Sequence, residues 1–177
     1  HYVSRSSSAS PHTAVGAEYV LTAAVAATLG SSKNQTFDLV ARSEGSNIGT
    51  ASKNRYMVQL KLINTSGTES ATLAIKKVDS GGESFLVAAT TVTEELNTSS
   101  DSLNNVFQHI AMRVRDDADG VIIEAYLNDE ERPRLTAEDN KYPSIDRGGS
   151  VGVLMTAGTS SDTFARVGSF AVHGIAD

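Results

Sequence analysis

The sequence has no cysteine, no tryptophan and only three prolines. Without cysteine it has neither a disulfide framework nor a thiolate metal site. That absence leaves an extracellular location open. Basic residues are outnumbered, and the formal charge is −6. No basic stripe is present to release counterions, which argues against a nucleic-acid partner. No apolar run approaches the length of a membrane span. The missing tryptophan argues against strong sugar stacking. No stretch repeats at a fixed period. The chain opens at His1 without methionine, as expected of a processed product or a piece of a longer chain.

What is present is alternation. From Val106 to Asp139 two runs flank an acidic turn ending in Asp119-Gly120. Ile110, Met112 and Val114 share one face of the first run, and His109, Arg113 and Arg115 the other. In the second run Val121, Ile123, Ala125 and Leu127 oppose Glu124, Tyr126 and Asn128. Period two around a Gly-bearing turn predicts an antiparallel hairpin. A slip of one residue would send every apolar side chain to water, so the pattern also sets the register.

The same signal recurs along the chain. Tyr19, Leu21, Ala23 and Val25 alternate within Glu18 to Leu29. Phe37 to Arg42 reads as a short buried strand. Tyr56, Val58, Leu60 and Leu62 alternate with Met57, Gln59 and Lys61. Ser66-Gly67 and Ser80-Gly81-Gly82 read as turns around a strand from Thr72 to Val78, and Phe85 to Val92 follows. Glu130 to Asp146 is charged and carries Pro133 and Pro143. Ser150 to Met155 and Phe164 to Ile175 close the chain, the latter anchored by Phe164, Val167, Phe170 and Val172. Residues 1–15 are Ser-rich and read as an arm or linker, and 16–177 as one β domain. At 177 residues such a domain buries roughly 70% of its unfolded surface and needs no staples. The expected class is all-β, an antiparallel two-sheet sandwich.

Eight pieces, in order, resemble the concanavalin A-like lectin/glucanase superfamily, in its laminin-G-like and phage or bacterial surface-protein branches. They are EYVLTAAVAA, FDLVARSEG, NRYMVQLKL, SATLAIKKVDSGGESFLVAAT, VFQHIAMRVR, VIIEAYLND, GGSVGVLM and FARVGSFAV. The resemblance implies a jelly-roll sandwich. It does not select among enzyme, lectin and structural module, because the fold hosts all three.

Side-chain chemistry narrows the choice. A retaining glycosidase needs two carboxylates about 5 Å apart. The Glu-x-Asp-x-x-Glu pattern of the glucanase branch is absent. Glu94-Glu95 and Glu130-Glu131 are adjacent, so on a strand each pair would diverge, and Glu124 is alone. A copper site built from His1 with His109 or His173 has a sensible nitrogen set, but lacks the surrounding aromatic surface. Asp116, Asp117 and Asp119 form a candidate calcium cluster, set against an ordinary Asp-Gly hairpin turn. Gln59, Lys61, Arg113, Glu124 and Tyr126 are the candidate ligand-binding residues on polar strand faces, set against a plain solvent-facing sheet. Asn34, Asn64 and Asn97 sit in Asn-x-Ser/Thr triplets, which a chain rich in Ser and Thr also produces by chance. The expectation is a non-catalytic module at the surface of a virion or cell, acting through contacts with other protein subunits. The alternative is a module that binds a surface glycan, and a polysaccharide-active enzyme is the lesser one.

Overall fold

The structure is a computed structural model describing residues 2–4, 18–44, 48, 54–80, 82–118, 120–140, 149–157 and 164–175. Among the described residues there are eleven strands: β1 Tyr2–Ser4, β2 Tyr19–Thr28, β3 Lys33–Ser43, β4 Arg55–Thr65, β5 Thr68–Asp79, β6 Gly82–Thr91, β7 Gln108–Asp117, β8 Gly120–Leu127, β9 Leu135–Asp139, β10 Ser150–Ala157 and β11 Phe164–Gly174. They pair antiparallel in two sheets. The six-stranded sheet runs β1-β10-β3-β4-β5-β6, and the five-stranded sheet runs β11-β2-β7-β8-β9. The chain crosses between sheets after β1, β2, β6, β9 and β10, giving an antiparallel jelly-roll sandwich.

The inward faces are the ones the alternation marks. Tyr19, Leu21 and Val25 on β2, Phe37 and Leu39 on β3, and Tyr56, Val58, Leu60 and Leu62 on β4 are buried in one cluster. Ile110, Met112, Val114, Ile123 and Leu127 meet them from the other sheet. Each side chain of this size contributes roughly 1.5–3 kcal/mol by leaving water. The β7–β8 register pairs Arg113 with Glu124 and Ala111 with Tyr126, as the hairpin requires. Ser66 (φ 53°) and Gly67 (φ 93°) are both left-handed, the geometry of the tight turn joining β4 to β5. Asn128 (φ 47°) and Asp129 (φ 62°) make a second left-handed pair after β8.

Two features go beyond the apolar alternation. Within residues 1–15 the backbone of β1 pairs with β10, Val3 opposite Val153. The charged segment after β8 carries structure of its own. It holds β9, with Ala137 in the core and Asp139 also turned inward, 5% exposed. Of the four anchors on the last strand, Val167 and Phe170 pack on the core, whereas Phe164 is 74% exposed and Val172 faces out. A bulge between Val167 and Ser169 shifts the alternation within β11.

One end of the sandwich is closed by charge. Arg42 on β3 donates to Asp116 on β7 at 2.7 Å. Lys77 on β5 meets Asp139 on β9 at 2.6 Å, and Tyr56 on β4 donates to the same carboxylate at 2.8 Å. Each bond joins one sheet to the other. Burial pushes the Tyr19 phenol up to about 12, although the nearby Arg42 guanidinium works the other way, so it stays neutral. The opposite end is closed by amides. The Gln108 side chain exchanges 2.8 Å bonds with the Asn97 backbone, and Asn128 donates to Gln108 and to the Glu95 carbonyl, each at 2.9 Å.

Candidate functional site

The candidate ligand residues fall into two groups on opposite outer faces. On β7 and β8 the core positions are even-numbered and odd-numbered respectively, so Arg113, Glu124 and Tyr126 point outward from the five-stranded sheet. On β4 the core takes Tyr56, Val58, Leu60 and Leu62, so Gln59 and Lys61 point outward from the six-stranded sheet. The structure brings the first three together and separates them from the other two.

The first group is organised by Arg113. Its Nε donates to Glu18 Oε1 at 2.6 Å, and its Nη2 contacts the same oxygen. Its Nη1 reaches Glu124 Oε2 at 3.5 Å, and the Tyr126 hydroxyl donates to that oxygen at 3.1 Å. The bond to Glu18 raises the Arg113 pKa. Burial, then the bond to Glu124, raises that of Tyr126. The result is a fixed cation, two engaged carboxylates and a neutral phenol. Beside them Thr22, Ala24 and Ala111 give a low floor. Both carboxylates are held by partners, which suits hydrogen bonding to a ligand better than proton transfer. Glu18 was not among the sequence candidates. It shares a face with Val20 and Thr22 by strand parity, and that spacing is the signal that could have found it.

The second face is partly roofed. Val40, Met57, Val78 and Ile48 form a separate buried cluster on the outer side of the six-stranded sheet, with Leu154 packed against it. Among these strands Asp38 is 4% exposed and accepts a 2.8 Å bond from Gln59. Burial raises its pKa from 3.8 to about 6, against the lowering effect of the Gln59 bond and of Lys76. Gln59 is therefore engaged with a buried carboxyl. Folding favours the protonated form of Asp38, so its contribution is most favourable below pH 4. It weakens as the pH rises from about 4 to about 6, then levels off. Asp38→Asn is expected to remove this slope and to gain about 2 kcal/mol at pH 8 relative to pH 4. Urea midpoints of both proteins at the two pH values check this; parallel curves would contradict it.

The remaining candidates are placed as follows. Asp116 turns inward to Arg42, whereas its neighbour Asp117 is exposed, so the two do not share a face. Asp119 and His1 lie outside the described residues. His109 and His173 stand opposite Ala24 and Val20 on either side of β2. Among the described residues no three His, Asp or Glu side chains gather as a metal site. Asn64 accepts from the Gly67 amide at 2.8 Å, and Asn97 donates to the Phe107 carbonyl at 3.2 Å, so both triplet asparagines have local partners.

The fold defines the class, an antiparallel jelly-roll sandwich. No protein-family model matches the chain. No curated protein matches it either. Among solved structures, the crystal structure of a β-1,3-glucanase from Mycobacterium marinum is similar, with 15% sequence identity and a TM-score of 0.47. The match covers 87% of this chain and 62% of that one, so the chain spans less than two thirds of the glucanase's length.

Proposed function

We propose that this chain is a non-catalytic β-sandwich module at a virion or extracellular surface, working through contacts with other protein subunits. The observation that carries the reading is β6. This ten-residue strand lies at the edge of the six-stranded sheet and is exposed along most of its length. It has no proline, its one charge is Glu83, and Phe85 on it is 56% exposed. Edge strands carry unpaired N–H and C=O groups, and long ones are normally blunted by charge or proline. Two register shifts against β5 are the guard this edge has. A long apolar edge suits a strand or loop from a neighbouring subunit. The engaged state of Glu18, Glu124 and Asp38 also fits a module without hydrolytic chemistry.

The experiment is the native mass of the protein as isolated from its source, beside that of a Phe85→Lys variant. A large assembly is expected for the first, and a species near 18.6 kDa for the second. Phe85 is exposed, so the variant should fold, losing within about 1 kcal/mol for its contact with the Lys76 ammonium 4.9 Å away. A single-chain mass for the protein from its source would contradict the reading.

A second reading is favoured by the Arg113 cluster: a module that recognises a surface glycan over Tyr126 and the small residues beside it. An aromatic platform next to a fixed hydrogen-bonding group is what such recognition needs. Here Tyr126→Ala is expected to abolish binding on a glycan array while thermal stability stays within about 1 kcal/mol. Undiminished binding by the variant would remove the reading.

A further inference from the structure

At the far end of the five-stranded sheet lies a depression of about 400 Å³, lined by Ala26, Ala27, Thr28, Asn105, Phe164, Ala165 and Arg166. That volume lies within the range of small-molecule sites. Its walls are fixed from below. Glu69 accepts bonds from the Ser102 hydroxyl, the Leu103 amide and the Asn104 side chain, which hold the loop before β7. The Asn105 amide then donates to the Ala27 carbonyl at 2.7 Å, joining that loop to β2. Phe107 follows and lies against Gly168, where even a Cβ would come within 2.7 Å of its ring. Gly168 therefore permits the close approach that fixes Phe107.

On that ring sits the Arg166 guanidinium, 4.8 Å from the ring centroid, with its Nη2 donating to Asn105 Oδ1 at 2.6 Å. Arg166 is thus held at two points, and among the described residues it makes no ion pair with a carboxylate, whereas Arg42 and Arg134 each pair with one and Arg113 with two. Two residues before it on the same strand face, Phe164 stands 74% exposed. Strand geometry puts these side chains roughly 7 Å apart. A held guanidinium and an exposed aromatic face beside one depression form a complementary set.

We propose that this depression binds a carboxylate borne next to an apolar group. Arg166 takes the carboxylate, and Phe164 takes the apolar body. Because the guanidinium is already held, binding orders little that is not ordered beforehand. A free aromatic or branched aliphatic acid has this chemistry, and so does the C-terminal residue of a peptide. The site lies on a different sheet from β6 and does not depend on what docks there.

The test is titration of the isotope-labelled chain, followed by NMR, with N-acetylphenylalanine, its amide, and a tripeptide ending in phenylalanine. N-acetylphenylalanine should shift the amides of Asn105, Phe164 and Arg166 with a Kd of about 1 mM. The amide should bind at least about tenfold more weakly, as should the acid to Arg166→Gln. Arg166 is exposed, and unchanged spectra elsewhere verify the fold. Equal affinity for the free acid and the tripeptide supports a small-acid site. Markedly tighter tripeptide binding supports a peptide terminus. No localised shift at tens of millimolar acid, equal binding of acid and amide, or unchanged binding by Arg166→Gln each overturns the proposal. Because the monomer suffices, failure here is distinct from failure to find an assembly.

Discussion

Replacing Asp139 with alanine is expected to destabilise the fold by roughly 3–5 kcal/mol, the cost of breaking a buried ion pair from one side. The Lys77 ammonium and the Asp139 carboxylate are each 5% exposed and 2.6 Å apart. Without Asp139, Lys77 keeps Asp79, at the longer distance of 3.5 Å. Tyr56 loses its 2.8 Å acceptor at the same time. Both bonds run between the sheets, so their loss loosens the closure of the sandwich at this end. For a domain of this size the penalty is a fall in Tm of roughly 6–20 °C. The double change Lys77→Met/Asp139→Leu should recover most of it, because an apolar pair of similar volume carries no desolvation cost. Urea unfolding of the three proteins measures this. An Asp139→Ala variant within about 1 kcal/mol of the parent would show that the pair is not buried as described.

The second large effect belongs to Gly120. In the sequence it looks like a turn glycine chosen for left-handed backbone freedom, yet it is not among the positive-φ glycines, which are Gly67, Gly82 and Gly149. Its role is close approach. A Cβ there would stand 2.2 Å from the Asp139 carbonyl oxygen and 2.9 Å from its carbonyl carbon. Backbone cannot yield as a side-chain tip can, so β8 and β9 must separate where Val121 faces Asp139. Gly120→Ala is expected to cost about 3 kcal/mol or more, at the top of the usual range for overpacking. Gly67→Ala is the control. It has φ 93° but nothing within 4 Å, and should cost about 1 kcal/mol from backbone strain alone. Equal losses for the two would mean that the contact with β9 is not formed. Because Asp139 lies in both arguments, the two variants together test how firmly β9 closes the sheet.

The legible part of this fold was the part written in apolar alternation. Tyr56 to Leu62, Ile110 to Val114 and Val121 to Leu127 all face as their spacing implies, because one-sided burial leaves no other register. The strand that alternation does not mark is β9, whose inward set is Leu135, Ala137 and Asp139. An inward carboxylate looks polar until its partner is known, and that partner, Lys77, lies some sixty residues away. Lys77 itself hid within a strand for the same reason. Phe164 was misassigned because its apolar character gives no hint of which way an edge strand turns it.

The candidate site was half legible. Arg113, Glu124 and Tyr126 come together because they share a hairpin whose register is local. Gln59 and Lys61 were grouped with them only by polarity, and the assignment of β4 to the other sheet separates them. That assignment depends on where the chain crosses, which no local pattern encodes. The contacts among Phe107, Gly168, Arg166 and Asn105 were likewise out of reach, since they join two segments some sixty residues apart.

In the proposed function β6 is completed by another subunit. Amide hydrogen exchange along Ser84 to Thr91 tests it most directly, comparing the protein within its native source with the same chain isolated. Alternate amides of β6 are expected to exchange fast in the isolated chain and to become as protected as those of β5 in the native state. Equal exchange along β6 in both states would contradict it, and the module's partner would then have to be sought on the outer face that carries Arg113 and Tyr126.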